Sequence, residues 1–135
     1  MSRGNDYVPV AVRKRVALQA AYACEYCLFP DSETLFGCEI DHIISLKHGG
    51  ASAENNLAYA CPICNRNKGS DIASIDWDAN QVVRLFNSRT DLWSEHFQFV
   101  GNRIEPITTI GLMTVRILRF NDDNRLNERD YTLYE

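Results

Sequence analysis

The chain has no run of about eighteen apolar residues of the kind that crosses a bilayer. Its first residues, Met1-Ser-Arg-Gly-Asn-Asp6, lack the apolar stretch that a secretory leader requires. No internal repeat, low-complexity tract or long linker is present, which sets aside solenoids and biased disordered segments. Positive charge is not in surplus either. Fourteen Lys and Arg stand against 18 Asp and Glu, for a net charge of −4. Bulk charge of this sign neither proves nor excludes a polyanionic substrate, and any phosphate binding is expected to be modest rather than the tight grip of a basic protein. These absences lead to the expectation of a cytoplasmic protein without a membrane partner, and 135 residues suffice for one core but not for two.

The charge is unevenly spread. Residues 1–70 hold seven Lys or Arg and seven Asp or Glu, whereas residues 71–135 hold seven and eleven, so the second half carries the whole −4. A divalent cation bound in the first half would make it locally positive and allow modest, metal-assisted phosphate binding.

What is present begins with five cysteines, four of them in the pairs Cys24-Glu-Tyr-Cys27 and Cys61-Pro-Ile-Cys64. In a reducing compartment such pairs are metal ligands rather than disulfides. Each pair can turn back onto one ion, so two supply the four thiolates of a closed, tetrahedral, structural Zn²⁺ site. A redox dithiol is the alternative, but two copies closing one loop argue against it. Cys38 is left over as a half-buried free thiol.

Between the pairs lie Glu39-Ile-Asp41-His42, Gly49-Gly50 and Asn55-Asn56-Leu57. Asp41 offers a hard carboxylate suited to Mg²⁺ or Mn²⁺. His42 is suited to take a proton from water near neutral pH. The plainer reading is a strand end facing solvent. Strand neighbours point to opposite faces, so a shared site needs a bend, which Ser45 and Gly49-Gly50 permit. Asn56 also fits an ordinary turn. Asn65 fits the N-cap of a following helix, with Lys68 and Gly69 at that helix's end.

The surrounding pattern predicts a helix over residues 9–22, with Pro9 at its start and Val12, Val16, Ala20 and Ala23 at helical spacing. Strands are expected over 36–44 and 57–60, with a polar loop from Lys47 and a helix starting around Cys64-Asn65. Beyond Gly69, Trp77, Val82, Val83, Leu85, Phe86, Trp93, Phe97 and Phe99 form a packing segment in which His96 is a packing residue. Residues 98–100 and 103–105 alternate around Gly101-Asn102 as a hairpin. Helices over 112–118 and 124–134 complete the reading.

Residues 24–69 resemble the HNH endonucleases, in the form whose Cys-x-x-Cys pairs flank a ββα-metal core. The resemblance rests on Asp41-His42-Ile43, Gly49-Gly50, Asn55-Asn56-Leu57 and Cys61-x-x-Cys64-Asn65-x-x-Lys68-Gly69, in that order. His42 falls at the first His of the name, Asn56 at its Asn, and Asn65 where the last His usually stands. An amide oxygen there shifts the expected ion toward Mg²⁺ or Mn²⁺. Leu85-Phe86-Asn87, Trp93-Ser-Glu-His96-Phe97 and residues 108–118 resemble the C-terminal extension of small stand-alone bacterial HNH proteins.

The resemblance implies an α+β fold within a single domain, 1–135. It comprises an N-terminal helix within 1–23, a zinc-braced core over 24–69 and a helix-and-hairpin extension over 70–135. It implies hydrolysis of phosphodiester bonds in DNA, with His42 as general base. Asp41 and Asn65 would hold a divalent cation, Asn56 would hold the His42 loop, and Arg66, Lys68 and Lys47 would contact phosphate. The competing expectation is a zinc-stabilised nucleic-acid- or protein-binding module that does not cut. The acidic second half also leaves room for a homo-oligomer or a targeting partner.

Overall fold

The computed structural model describes residues 7–133; the reading of residues 1–6 and the expected helix end at 134 lie outside them. The first helix, α1 (Val10–Gln19), has Pro9 immediately before it, and the Arg13 N–H reaches the Pro9 carbonyl at 3.0 Å. It stops three residues short of the expected end. Ala21 and Tyr22 take φ of 54° and 58°, and the Tyr22 N–H closes onto the Ala17 carbonyl at 3.0 Å. That left-handed turn aims the chain into Cys24. With Val8, Val16 of α1 packs on Leu57 and Tyr59.

β1 (Glu39–His42) and β2 (Leu57–Ala60) pair antiparallel, with Glu39 opposite Ala60 and His42 opposite Leu57. β1 is shorter than the 36–44 expected. Upstream the Asp31 carboxylate holds the Cys38 N–H, and Phe36 is 91% exposed. Downstream the chain leaves the ladder into a 3-10 turn, Leu46–His48, closed by Gly49 at φ +86°. α2 (Pro62–Lys68) follows β2 directly. Cys61 is its N-cap, with Sγ accepting the Cys64 N–H at 3.4 Å, and Pro62 supplies a preset φ and no orphan donor. The helix thus starts before Cys64, and Asn65 is an interior residue rather than its cap.

The extension opens with a hairpin that the sequence pattern did not predict, β3 (Ala73–Asp76) against β4 (Gln81–Arg84). Its turn is made by Asp76, whose Oδ1 accepts the Asp78 and Ala79 N–H groups, and by Asn80 at φ 54°. Trp77 and Val82, expected to pack, are exposed. α3 (Trp93–His96) leads into the expected hairpin, β5 (Phe97–Val100) with β6 (Arg103–Pro106), turned at Gly101 with φ +62°. α4 (Thr109–Leu118) is capped by Thr108, whose Oγ1 accepts the Gly111 N–H at 3.0 Å. α5 (Asp123–Leu133) ends the described chain. No helix among the described residues is long and apolar enough to cross a membrane.

One buried cluster draws Cys24, Tyr26, Ala58 and Cys64 from the first half, and Leu85, Phe86, Phe97, Met113, Leu118 and Phe120 from the second. Polar ties cross the same seam. Trp93 Nε1 donates to the Tyr26 carbonyl at 2.7 Å, Asn67 Nδ2 to the Leu118 carbonyl at 3.0 Å, and Arg89 pairs with Glu25. His96 packs edge-on against Phe86 and bonds Thr108.

Candidate functional site

The Sγ atoms of Cys24, Cys27, Cys61 and Cys64 all lie within 4.8 Å of one another, and all four residues are buried. A tetrahedral zinc with Zn–S bonds of about 2.3 Å places its sulfurs roughly 3.8 Å apart. Cys27 and Cys61 stand at 3.7 Å, close to that spacing and far from a disulfide. In each pair the backbone N–H of the second cysteine points at the first sulfur, at 3.4 Å in both turns. Thiolates accept such bonds, so the four residues fit a closed Zn²⁺ site with no position left for water. Cys38 stays outside the cluster, half-buried, and burial beside Asp31 pushes its thiol up from the ordinary range.

The second constellation sits where the end of β1 meets α2. His42 closes β1, and its Nε2 lies 2.9 Å from Ser52 Oγ. Asn56 secures the loop between them. Its Oδ1 accepts the Ile44 N–H at 2.9 Å, and its Nδ2 donates to the carbonyls of Ile44 and Ala51, both at 2.8 Å. Gly50 completes this close packing, since a Cβ there would overlap the Ile44 carbonyl and approach Asn56 Nδ2 to 2.8 Å. The Asn-Asn-Leu and Gly-Gly signals are therefore two sides of one contact.

Asp41 points to the other face of the strand and is only 4% exposed. Tyr26 donates its hydroxyl to Oδ2 at 2.7 Å, and Lys68 Nζ lies 3.2 Å from the same oxygen. Burial raises the Asp41 carboxyl, while Lys68 and Tyr26 oppose that rise. Lys68 is itself 2% exposed and also donates to the carbonyls of His42 and Ile43, at 3.2 and 3.0 Å. Its placement corrects the expectation of a phosphate contact: the ammonium is committed to the backbone on either side of the His42–Ile43 bond. Arg66 and Lys47 are exposed.

Asn65 faces β1 as well. Its Nδ2 donates to Glu39 Oε1 at 2.7 Å. Glu39 and Asp41, two apart on β1, share a strand face. No bond joins Asp41 directly to Asn65: Glu39 takes the Asn65 amide nitrogen, whereas Asp41 turns to Tyr26 and Lys68. Glu39 and Tyr26 were not singled out from the sequence. The signal for Glu39 was its period-two spacing from Asp41; Tyr26, a spacer between two cysteines, offered none.

A family model described as HNH endonuclease matches residues 24–71. That span takes in both cysteine pairs, β1, β2 and α2. No curated protein and no solved structure matches the chain.

Proposed function

We propose that this chain, which carries an HNH endonuclease domain at residues 24–71, is a metal-dependent nuclease acting on phosphodiester bonds in DNA. The observation that supports this most is the assembly of the matched residues on one ββα unit. A histidine ends β1, an asparagine clamps the loop behind it, and Asn65 of α2 is held against Glu39 of β1. His42 takes a proton from water, whose oxygen bonds to phosphorus as the bond to O3′ breaks. Asn56 and Lys68 position His42 from its two sides, one through the loop and the other through the strand-end carbonyls. Glu39 holds the Asn65 amide by its nitrogen, which leaves Oδ1 as the atom turned away for a cation. A divalent cation held by Asp41 and Asn65 would offset charge on a phosphoryl oxygen and on the departing O3′. Arg66 and Lys47 are exposed cations available to the phosphate backbone. A reducing cytoplasm suits the four thiolates.

One observation favours the non-cutting alternative. The Lys68 ammonium already neutralises the buried Asp41 carboxylate, which weakens its pull on a second cation. Incubation of supercoiled plasmid with the purified chain in Mg²⁺, Mn²⁺ or EDTA separates the two. Cleavage with either metal and none in EDTA is the expected result. Plasmid binding without cleavage under any metal assigns the binding module instead.

A further inference from the structure

Arg125 lies on α5, outside the ββα unit, yet its guanidinium reaches the four-cysteine centre. Nη2 stands 3.1 Å from Cys64 Sγ and 3.8 Å from Cys61 Sγ. Nη1 donates to the carbonyls of Leu118 and Arg119, at 3.1 and 3.3 Å, where α4 ends in a left-handed cap. The residue is 4% exposed. Arg129, one turn further along the same face of α5, is 6% exposed, but its guanidinium serves Asn102, Phe120 and Asn121 rather than sulfur. Two buried arginines of equal charge thus differ in one respect: only Arg125 bonds the thiolates.

Four thiolates around Zn²⁺ leave two negative charges in excess, and a buried, uncompensated charge is strongly unfavourable. A cationic N–H donor on sulfur offsets that charge and draws density from the thiolate. We infer that Arg125 is an outer member of the metal centre, which it completes with a charge-assisted N–H···S bond to Cys64. The same guanidinium fastens α5 and the end of α4 to the metal-bearing α2. The centre is therefore assembled from both halves of the chain, with its ligands in one and its counter-charge in the other. This inference does not depend on nuclease activity and holds equally for a chain that only binds.

The test uses the full chain loaded with Co²⁺, whose sulfur-to-metal charge-transfer band reports thiolate donor strength, together with Zn²⁺ affinity from competition with a chelator. Arg125→Met keeps an apolar stem of similar volume to that of the arginine and removes its donors. The band should move to longer wavelength, and Zn²⁺ affinity should fall by about 10- to 100-fold. Arg129→Met, with the same change of charge one turn away, should leave the band in place. If Arg125→Met does not fold, Arg125→Gln decides in its stead, with a shift in the same direction but smaller. A folded Arg125 variant with the parent band and parent affinity overturns the inference. So does an Arg129→Met shift as large as that of Arg125→Met, because the effect would then belong to distant charge and not to the bond.

Discussion

Between Cys24 and Gly69 most of the buried side chains are small or polar: four cysteines, Ala58, Ala60, Asp41 and Lys68, beside Tyr26, Ile43, Leu57 and Tyr59. Beyond Gly69 the interior is aromatic. Phe97 packs its ring 5.3 Å from Phe86, 5.1 Å from Trp93 and 5.6 Å from Phe120, with Ile104, Met113 and Leu118 around them. A segment as short as the first cannot bury enough apolar surface to hold itself, so metal–thiolate bonds take the place of a core. That substitution leaves β1 and α2 able to carry acids, amides and a histidine. The second half supplies the apolar mass, and the first packs on it.

Cys64→Ser should have the largest effect on this division. Metal binding at such sites contributes roughly 10–16 kcal/mol of folding free energy, so loss of one ligand should release zinc and unfold β1, β2 and α2. Metal analysis alongside circular dichroism checks it, and a folded, zinc-free variant would mean that the aromatic half holds both. Phe97→Ala should cost about 3–5 kcal/mol in denaturant unfolding while the folded fraction keeps its zinc. Zinc loss without unfolding would erase the distinction between the halves. Lys68→Met leaves the Asp41 carboxylate buried without its cation and should cost about 3 kcal/mol, the lower end for a broken buried pair because Tyr26 still donates to it. Adding Asp41→Asn should restore most of that stability; a Lys68→Met chain as stable as its parent would return Lys68 to the surface charges. The smallest effect is expected for Glu39→Ala. It frees the Asn65 amide to turn and should weaken Mn²⁺ binding about ten-fold with zinc untouched. Unchanged Mn²⁺ titrations would make Glu39 a bystander.

Much of the site was legible because its residue types are chemically committed. Cysteines at that spacing have few other uses; Asn56, which alone fits an ordinary turn, stood out only through its place in the ordered pattern. What stayed hidden depends on which way a side chain turns. Lys68 near a helix end reads as a surface charge, but α2 lies against β1, so the ammonium points inward to Asp41 and the His42 carbonyl. Arg125 was masked by its acidic neighbours, although its four-residue spacing from Arg129 marks one helix face. Backbone signals failed for a similar reason. α1 ends on Ala21 and Tyr22 in left-handed conformations, with no glycine to announce the stop. β3 and β4 escaped notice because neither buries a full face, so no strong alternation was written into them.

If His42 removes the proton from the attacking water, His42→Ala is the decisive variant, read by plasmid cleavage in Mg²⁺ or Mn²⁺. Turnover should fall by roughly 10²–10⁴-fold, with zinc content, thermal stability and plasmid binding as in the parent, since neither the four thiolates nor Asp41 and Asn65 depend on the imidazole. Cleavage at the parent rate, in a preparation free of contaminating nuclease, would contradict it.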